Sequence, residues 1–238
     1  YHGIGRFNPE TGELAPAAVS FSDKAGEYLC QYAENDPRIV AITAAMAGGT
    51  GTECFASKFP ERFFDVGIAE GHGVTMAAGM AKQGLVPVFA VYSSFLQRGF
   101  DMLIHDVSLL GLHTVFCVDR AGLVGNDGET HQGVFDVCYL SAVPGMTILC
   151  PASFQELHDM LGYAIHEVTG PAAVRYPRGG EGRYTDSLMQ AENVIREGTD
   201  VTIVCYGTMI NEVLNAADML QSRGISAEII KLGMIAPN

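Results

Sequence analysis

Short apolar runs alternate along this 238-residue chain with longer amphipathic stretches. The runs have the length of buried strands, and the longer stretches repeat apolar residues at helical spacing. Predicted strands cover residues 38–41, 86–92, 113–119, 146–150 and 172–176. Predicted helices cover residues 69–82, 95–110 and 153–168, and Ser153 with Glu156 is expected to form a capping box on the third. The alternation predicts an α/β fold in which a parallel sheet carries helices on both faces.

The pattern changes after residue 180. Residues 181–198 combine glycine, charge and little periodicity, which indicates a linker. A strand at 201–206, a helix at 209–223 and a strand at 227–232 then form one strand–helix–strand unit. A single unit cannot bury both faces of its sheet, so we expect the truncated start of a second α/β domain. The predicted division is a segment at 1–18, a first domain at 19–180, the linker, and a partial domain at 199–238.

Acidic residues dominate the charge of the chain. The net charge is −13, whereas a nucleic-acid partner would need clustered Lys and Arg. Nucleic acid is therefore not an expected partner, and an anionic ligand must be held by a few well-placed cations. The six cysteines contain no CxxC pair, which favours buried reduced thiols and a cytoplasmic protein. No apolar run reaches the roughly 18 residues that span a bilayer, so no membrane partner is expected.

A carboxylate stands at the start of the predicted helix at 69–82. The segment Asp65-Val-Gly-Ile-Ala-Glu-Gly-His72 places Glu70 there, where the helix macrodipole favours an ionised side chain. Two interpretations stay open. Glu70 either caps the helix, or serves a ligand, because a carboxylate in an apolar cleft is costly without a partner.

Three segments directly follow predicted strands, at 92–98, 119–131 and 176–178. Ligands of parallel α/β sheets bind beyond these carboxyl ends. In Tyr92-Ser-Ser-Phe-Leu-Gln-Arg98 the rings either fill the core, or Phe95 stacks on a flat heterocycle that Tyr92 and Arg98 contact through hydrogen bonds. The spacing alone does not decide between these interpretations.

The least ordinary stretch is the polar, glycine-rich loop at 119–133. Loops of this length in compact domains tend to be functional. Asn126-Asp-Gly128 is also compatible with a simple turn, and Asp127 with His131 makes too small a set of ligands for a metal site. We therefore predict no metal ligands in this chain.

Two arginines end the strand at 172–176, in Arg175-Tyr-Pro-Arg-Gly179. They need not share a face, because alternate side chains of a strand point in opposite directions. Each could form a surface ion pair of little energetic value. Arg178 together with Arg120 could instead clamp a phosphate group from neighbouring strand ends.

Taken in this order, the four segments resemble the 1-deoxy-D-xylulose-5-phosphate synthase family, and the likeness runs over nearly the whole chain. Asp119-Arg-Ala-Gly followed by Asp127-Gly-Glu-Thr-His-Gln-Gly133 is the most specific part. The resemblance implies a transketolase-like, thiamine-diphosphate-dependent transferase. Its expected reaction joins pyruvate to D-glyceraldehyde 3-phosphate with loss of carbon dioxide, for the pathways to isoprenoids, thiamine and pyridoxal.

The resemblance also implies roles for particular residues. Glu70 is expected to bond N1′ of the cofactor's aminopyrimidine, with Phe95 stacked on that ring and Arg98 and Ile68 beside it. Arg120 and Arg178 match the family's phosphate clamp. The remaining matches are polar groups of the substrate pocket (Tyr92, Asp127 and His131) and histidines near the reacting centre (His131 and His2).

One family feature is absent from this sequence. The family binds the diphosphate and its Mg²⁺ through a Gly-Asp-Gly…Asn motif in an amino-terminal domain, and the sequence contains no such motif. The chain also starts without Met and stops just after an apolar run, so we expect a piece of a longer, homodimeric enzyme, inactive alone. The alternatives are another transketolase-like enzyme subunit, or a non-catalytic pyrimidine-domain module.

Overall fold

A computed structural model of the chain describes residues 7–13 and 18–236. Its larger sheet has seven strands in the order β10-β5-β6-β4-β3-β1-β2. Their bounds are β1 (Ile39–Thr43), β2 (Phe63–Asp65), β3 (Val86–Tyr92), β4 (Val115–Asp119), β5 (Thr147–Leu149), β6 (Ala172–Arg175) and β10 (Met234–Ala236). The first six run parallel, and β10 pairs antiparallel with β5. The predicted parallel sheet is thus confirmed.

Helices cover both faces of this sheet, as predicted. Buried residues of α1 (Phe21–Asn35), α2 (Glu53–Lys58) and α7 (Phe154–His166) form a core on one face. A second core on the other face lies under α3 (Glu70–Lys82), α4 (Ser93–Leu96), α5 (Phe100–Met102) and α6 (Asp136–Ser141). The strands between are apolar on both faces, which explains their continuous hydrophobic runs.

A smaller sheet follows in the chain, with strand order β7-β9-β8. It contains β7 (Glu192–Arg196), β8 (Val201–Tyr206) and β9 (Ala227–Leu232), and α8 (Ile210–Gln221) packs on one face. The predicted linker at 181–198 is wrong for residues 192–196. These residues form β7, which pairs antiparallel with β9. Val194, Val204 and Tyr206 are exposed, so this unit leaves apolar side chains uncovered, as expected of a single strand–helix–strand unit.

The two sheets are connected by a buried ion pair. Lys231 of β9 and Glu156 of α7 are both fully buried, and Lys231 Nζ lies 2.9 Å from the carboxylate. Glu156 also accepts hydrogen bonds from the Tyr184 hydroxyl at 2.7 Å and from the backbone N–H of Ala152 at 2.8 Å. Ser153 does cap α7, but the expected capping box is wrong because this carboxylate is engaged elsewhere.

The helical region predicted at 95–110 begins earlier and is irregular. It starts at Ser93 with α4, passes through a 3-10 turn and α5, and ends in a π-helical turn at Leu103–Ser108. No helix of the described residues 7–13 and 18–236 has both the length and the apolar character needed to cross a membrane.

Candidate active site

The carboxyl ends of β3, β4 and β6 lie side by side at one edge of the larger sheet. Parallel pairing aligns Tyr92 with Asp119 and Val118 with Arg175. The segments that leave these strands therefore start next to each other, although they are far apart in the sequence. This register brings the predicted candidates Tyr92, Arg120 and Arg178 to one edge.

Glu70 is the first residue of α3, and its side chain is only 3% exposed. Its Oε1 accepts a hydrogen bond of 3.1 Å from Arg98 Nη1. Within the described part of the chain this is its one side-chain hydrogen bond, and Ala69 holds the N-cap position, so Glu70 does not cap the helix. A carboxylate can accept about four hydrogen bonds. Glu70 therefore has unused acceptor positions in a nearly dry site.

An aromatic cluster lies next to this carboxylate. The rings of Tyr92 and Phe95 stack with centroids 5.5 Å apart, and the imidazole of His131 meets the Phe95 ring edge-on at 5.1 Å. The Arg98 guanidinium lies 5.4 Å from the Phe95 centroid. The Phe95 ring is half-buried, so part of it is available to a ligand. Phe95 thus connects the Glu70–Arg98 pair to the loop at 119–133.

A carboxylate joins the two arginines of the predicted clamp. Arg178 Nε lies 2.9 Å from Asp127 Oδ1, and Arg120 Nε lies 3.6 Å from Asp127 Oδ2. Both guanidinium groups therefore lie against the same carboxylate, that of Asp127. Arg175 does not join this group, since it forms a buried pair with Asp136 at 2.9 Å.

Arg120 is held more firmly than Arg178. Its Nη1 donates to Ser22 Oγ at 3.0 Å and to the carbonyl of Gly49, and its guanidinium lies 4.2 Å from the centroid of the Tyr92 ring. Its backbone adopts a φ of 58°, which non-glycine residues rarely do. Arg120 is mostly buried, whereas the Arg178 side chain is 44% exposed. Arg120 thus has more partners and is less exposed than Arg178.

The buried carboxylate of Asp119 forms a hydrogen bond and an ion pair with Arg120. Its Oδ1 accepts the backbone N–H of Arg120 at 2.7 Å and lies 3.0 Å from Nη1 of the same residue. Complete burial raises the pKa of Asp119 to about 6, although the adjacent Arg120 acts in the opposite direction. In the described residues, Oδ2 has no hydrogen-bond partner.

Asp119→Asn should stabilise the fold above pH 6. The folded-state pKa is about 6, above the ordinary value of 3.8, so ionisation costs the folded state stability as the pH rises from about 4 to about 6. Each pKa unit corresponds to about 1.4 kcal/mol, which gives a gain on the order of 3 kcal/mol at pH 7. Urea unfolding from pH 4 to pH 8 measures this. The slope between pH 4 and 6 should flatten in Asp119→Asn and persist in the exposed control Asp101→Asn; an unchanged slope in the former contradicts it.

Two further residues near Glu70 are exposed to solvent. Ile68 is 82% exposed on the segment before α3, and His72 is exposed on α3 itself. His131 belongs to the aromatic cluster, with Nδ1 2.9 Å from Thr130 Oγ1. His2 lies outside the described residues.

Sequence reasoning did not find two groups that hold Arg120. Ser22 lies in the first turn of α1. Serine is common at helix starts, so its presence there does not indicate a contact with a residue far away in the sequence. Gly49 lies in the glycine-rich segment after β1, and a side chain there would collide with the Tyr92 hydroxyl. The strand-end rule, applied also to β1, would have indicated that segment.

The geometry suits a flat nitrogen heterocycle and an anionic group. Glu70 offers acceptor positions beside an available aromatic face, and the hydroxyls of Ser93 and Ser94 are buried without partners within the described residues. Residues 7–13 and 18–236 contain no group of three His, Cys, Asp or Glu side chains that could bind a metal ion.

Family models match most of the chain. The model described as "Transketolase, pyrimidine binding domain" matches residues 17–180, and "Transketolase, C-terminal domain" matches residues 190–238. Together they match both sheets.

Curated relatives and solved structures agree with these matches. The chain is 50% identical to the 1-deoxy-D-xylulose-5-phosphate synthase of Halalkalibacterium halodurans and 48% identical to that of Clostridium acetobutylicum. Each match covers 100% of this chain but 39% of the relative, so the chain spans about two fifths of their length. A structure titled "Split gene transketolase, inactive beta4 tetramer" is 30% identical, with a TM-score of 0.79, over 91% of this chain and 72% of that one. A Pichia stipitis transketolase, 17% identical, shares the fold at a TM-score of 0.81 over 93% of this chain and 36% of its own.

Proposed function

Because the chain belongs to the transketolase pyrimidine-binding domain family, we propose that it forms one side of the active site of a 1-deoxy-D-xylulose-5-phosphate synthase. The complete enzyme would make 1-deoxy-D-xylulose 5-phosphate from pyruvate and D-glyceraldehyde 3-phosphate and release carbon dioxide. The observation that carries the proposal is the placement of a dry carboxylate, Glu70, near the aromatic cluster around Phe95, with Arg120 and Arg178 paired to Asp127 on the adjoining loop.

Glu70, Phe95, Arg98 and Ile68 would form the cofactor side of the site. When bound, thiamine diphosphate supplies the carbanion chemistry that forms the new carbon–carbon bond. Glu70 would hold a proton at a ring nitrogen of the aminopyrimidine, where its free acceptor positions lie. Arg98 would orient the carboxylate through the hydrogen bond at 3.1 Å, and Phe95 would cover one face of the ring.

The substrate side would use the clamp. Arg120 and Arg178 would bind the phosphate of the aldehyde, which would replace the Asp127 carboxylate as the anion between them. Tyr92, Asp127 and His131 would contact the aldehyde and its hydroxyl groups. His131, and His2 from outside the described residues, would serve the reacting centre.

The Mg²⁺ and the diphosphate would be bound by an amino-terminal domain, a required partner of this chain. The proposal of an amino-terminal domain is supported by the length of the curated relatives, of which this chain covers 39%. We further propose a cytoplasmic homodimer, in which a first part at 19–180 is joined to a second part that begins with β7.

Reconstitution tests the proposal. This chain is mixed with an amino-terminal half of a 1-deoxy-D-xylulose-5-phosphate synthase, thiamine diphosphate, Mg²⁺ and both substrates. We expect carbon dioxide release that depends on both polypeptides and on the phosphorylated aldehyde. Product formation from a ketose phosphate in place of pyruvate would favour a transketolase, and a folded, stoichiometric complex without turnover would favour a non-catalytic module.

Arg178→Ala should chiefly raise the KM for D-glyceraldehyde 3-phosphate. A charge-assisted, bidentate contact to phosphate contributes about 1.5–3 kcal/mol, which corresponds to roughly 10- to 150-fold in KM. Steady-state kinetics with each substrate varied measures this, and the KM for pyruvate should change little. Arg38→Ala is the matched control, because Arg38 is an exposed arginine that also pairs with an aspartate, Asp36, away from the site. An unchanged KM for the aldehyde in Arg178→Ala would contradict the clamp.

A further inference from the structure

Two cysteine thiols face each other between α1 and α2, away from the clamp. Cys30 Sγ and Cys54 Sγ lie 3.2 Å apart, although the residues are 24 positions apart in the sequence. We propose that Cys30 and Cys54 form a redox site, in which a peroxide converts the two thiols to an intramolecular disulfide. This site lies outside the proposed catalytic chemistry and needs none of it.

The packing around the thiols supports bond formation with little movement. A disulfide needs its sulfur atoms roughly 1 Å closer than the two thiols are now. The two elements already approach closely, because a Cβ at Gly26 of α1 would collide with the carbonyl of Gly51 and lie 3.3 Å from Cys54 Sγ. The glycine therefore lets α1 and the start of α2 come within reach of each other.

The two thiols differ in a way that assigns their roles. Cys30 is 2% exposed, whereas Cys54 is partly exposed and can meet a small oxidant. The hydrogen bond between the thiols lowers the pKa of Cys54 to about 7, and the backbone N–H of Phe55 and the charge of Lys58 act in the same direction. The same hydrogen bond and burial raise the pKa of Cys30. Because thiolates are the nucleophiles, Cys54 attacks first and Cys30 resolves.

The reaction balances with hydrogen peroxide as the oxidant. The Cys54 thiolate attacks one peroxide oxygen, the O–O bond breaks, and the departing hydroxide takes a proton to become water. Cys54 is then a sulfenic acid. Cys30 sulfur attacks Cys54 sulfur, the S–O bond breaks, and the hydroxide leaves with the Cys30 proton as a second water. Two thiols are oxidised and one peroxide is reduced.

The disulfide would connect the elements that hold Arg120. Ser22 at the start of α1 accepts one hydrogen bond from Arg120, and Gly49, five residues before Cys54, accepts another. The disulfide would thus link α1 covalently to α2, and so join the two segments that accept hydrogen bonds from Arg120. The consequence for the clamp rests on the proposed function, but formation of the bond does not.

Peroxide titration of this chain tests the site. After treatment at pH 7.5 and alkylation of the remaining thiols, digestion should yield a peptide pair joined through Cys30 and Cys54, two hydrogens lighter than the reduced pair. Dithiothreitol should reverse it. The unfolding midpoint of the oxidised chain should rise by roughly 4 °C or more, since the closed loop restricts the unfolded state.

Serine variants distinguish this site from general oxidation. Cys54→Ser should leave Cys30 reduced, and Cys30→Ser should give a sulfenic acid at Cys54 that dimedone traps. Cys138→Ser removes an exposed thiol and should leave the joined pair unchanged. Oxidation of Cys138 before Cys54, or a joined pair that forms only after denaturation in urea, would overturn the proposal. Neither result would bear on the reconstituted activity, so the two proposals can fail separately.

Discussion

Glu70→Gln should reduce turnover of the reconstituted enzyme by about a thousandfold or more. General acid–base groups contribute about 10²- to 10⁴-fold, and here the group is 3% exposed and has one side-chain partner, Arg98, within the described residues. Glutamine preserves the shape and an acceptor but cannot exchange a proton with a ring nitrogen. Carbon dioxide release at saturating substrate and cofactor measures the loss, which should fall on kcat.

The control for this variant is Glu129→Gln, which makes the same chemical change at an exposed position of the neighbouring loop. Its turnover should stay within about threefold of the unaltered enzyme, the range of an ordinary surface change. Both variants should keep the unfolding free energy of the parent within about 1 kcal/mol. Turnover in Glu70→Gln above a tenth of the parent value would remove Glu70 from the chemistry.

Lys231→Met should lower the unfolding free energy by about 3–5 kcal/mol, because it leaves the Glu156 carboxylate buried without its counter-charge. Both side chains of the pair are fully buried. The hydrogen bonds from Tyr184 and Ala152 remain, and they satisfy the carboxylate geometrically without neutralising it. Urea unfolding at pH 7 measures the change.

A second variant separates lost charge pairing from poor packing. Adding Glu156→Gln to Lys231→Met removes the stranded charge and keeps hydrogen bonds to the same partners, so most of the stability should return. Lys58→Met breaks an exposed pair with Glu34 and should cost less than about 1 kcal/mol. A double variant as unstable as Lys231→Met alone would attribute the loss to the methionine.

The strands with long apolar runs were predictable. β3, β8 and β9 have the predicted bounds, and each contains at least six residues of strand character. Of the three-residue strands, β5 was predicted at 146–150, whereas β2 and β10 were not. β2 and β10 form because β1 and β5 offer backbone groups with which they can pair. Pairing of this kind produces no periodic pattern of apolar residues in the short strand itself.

The site was predictable to the level of strand ends. The rule for parallel sheets indicated the segments with Tyr92, Arg120 and Arg178, and the register places them together. Asp127 as the link between two arginines depends on the path of the loop, which no periodicity encodes. The capping box was wrongly predicted for a similar reason. The Glu156 side chain pairs with Lys231, which is distant in the sequence.

The antiparallel strand β10 has a consequence for the boundaries of the folding unit. Without it, β5 would be the outer strand of the larger sheet, with the unpaired backbone groups of three buried residues, Thr147, Ile148 and Leu149. Open strand edges of this kind recruit other chains and start aggregation. Residues Met234–Ala236 cover that edge although they follow the smaller sheet in the chain. The sheet of the pyrimidine-binding part, which matches the family over residues 17–180, is therefore completed by a segment from outside that range.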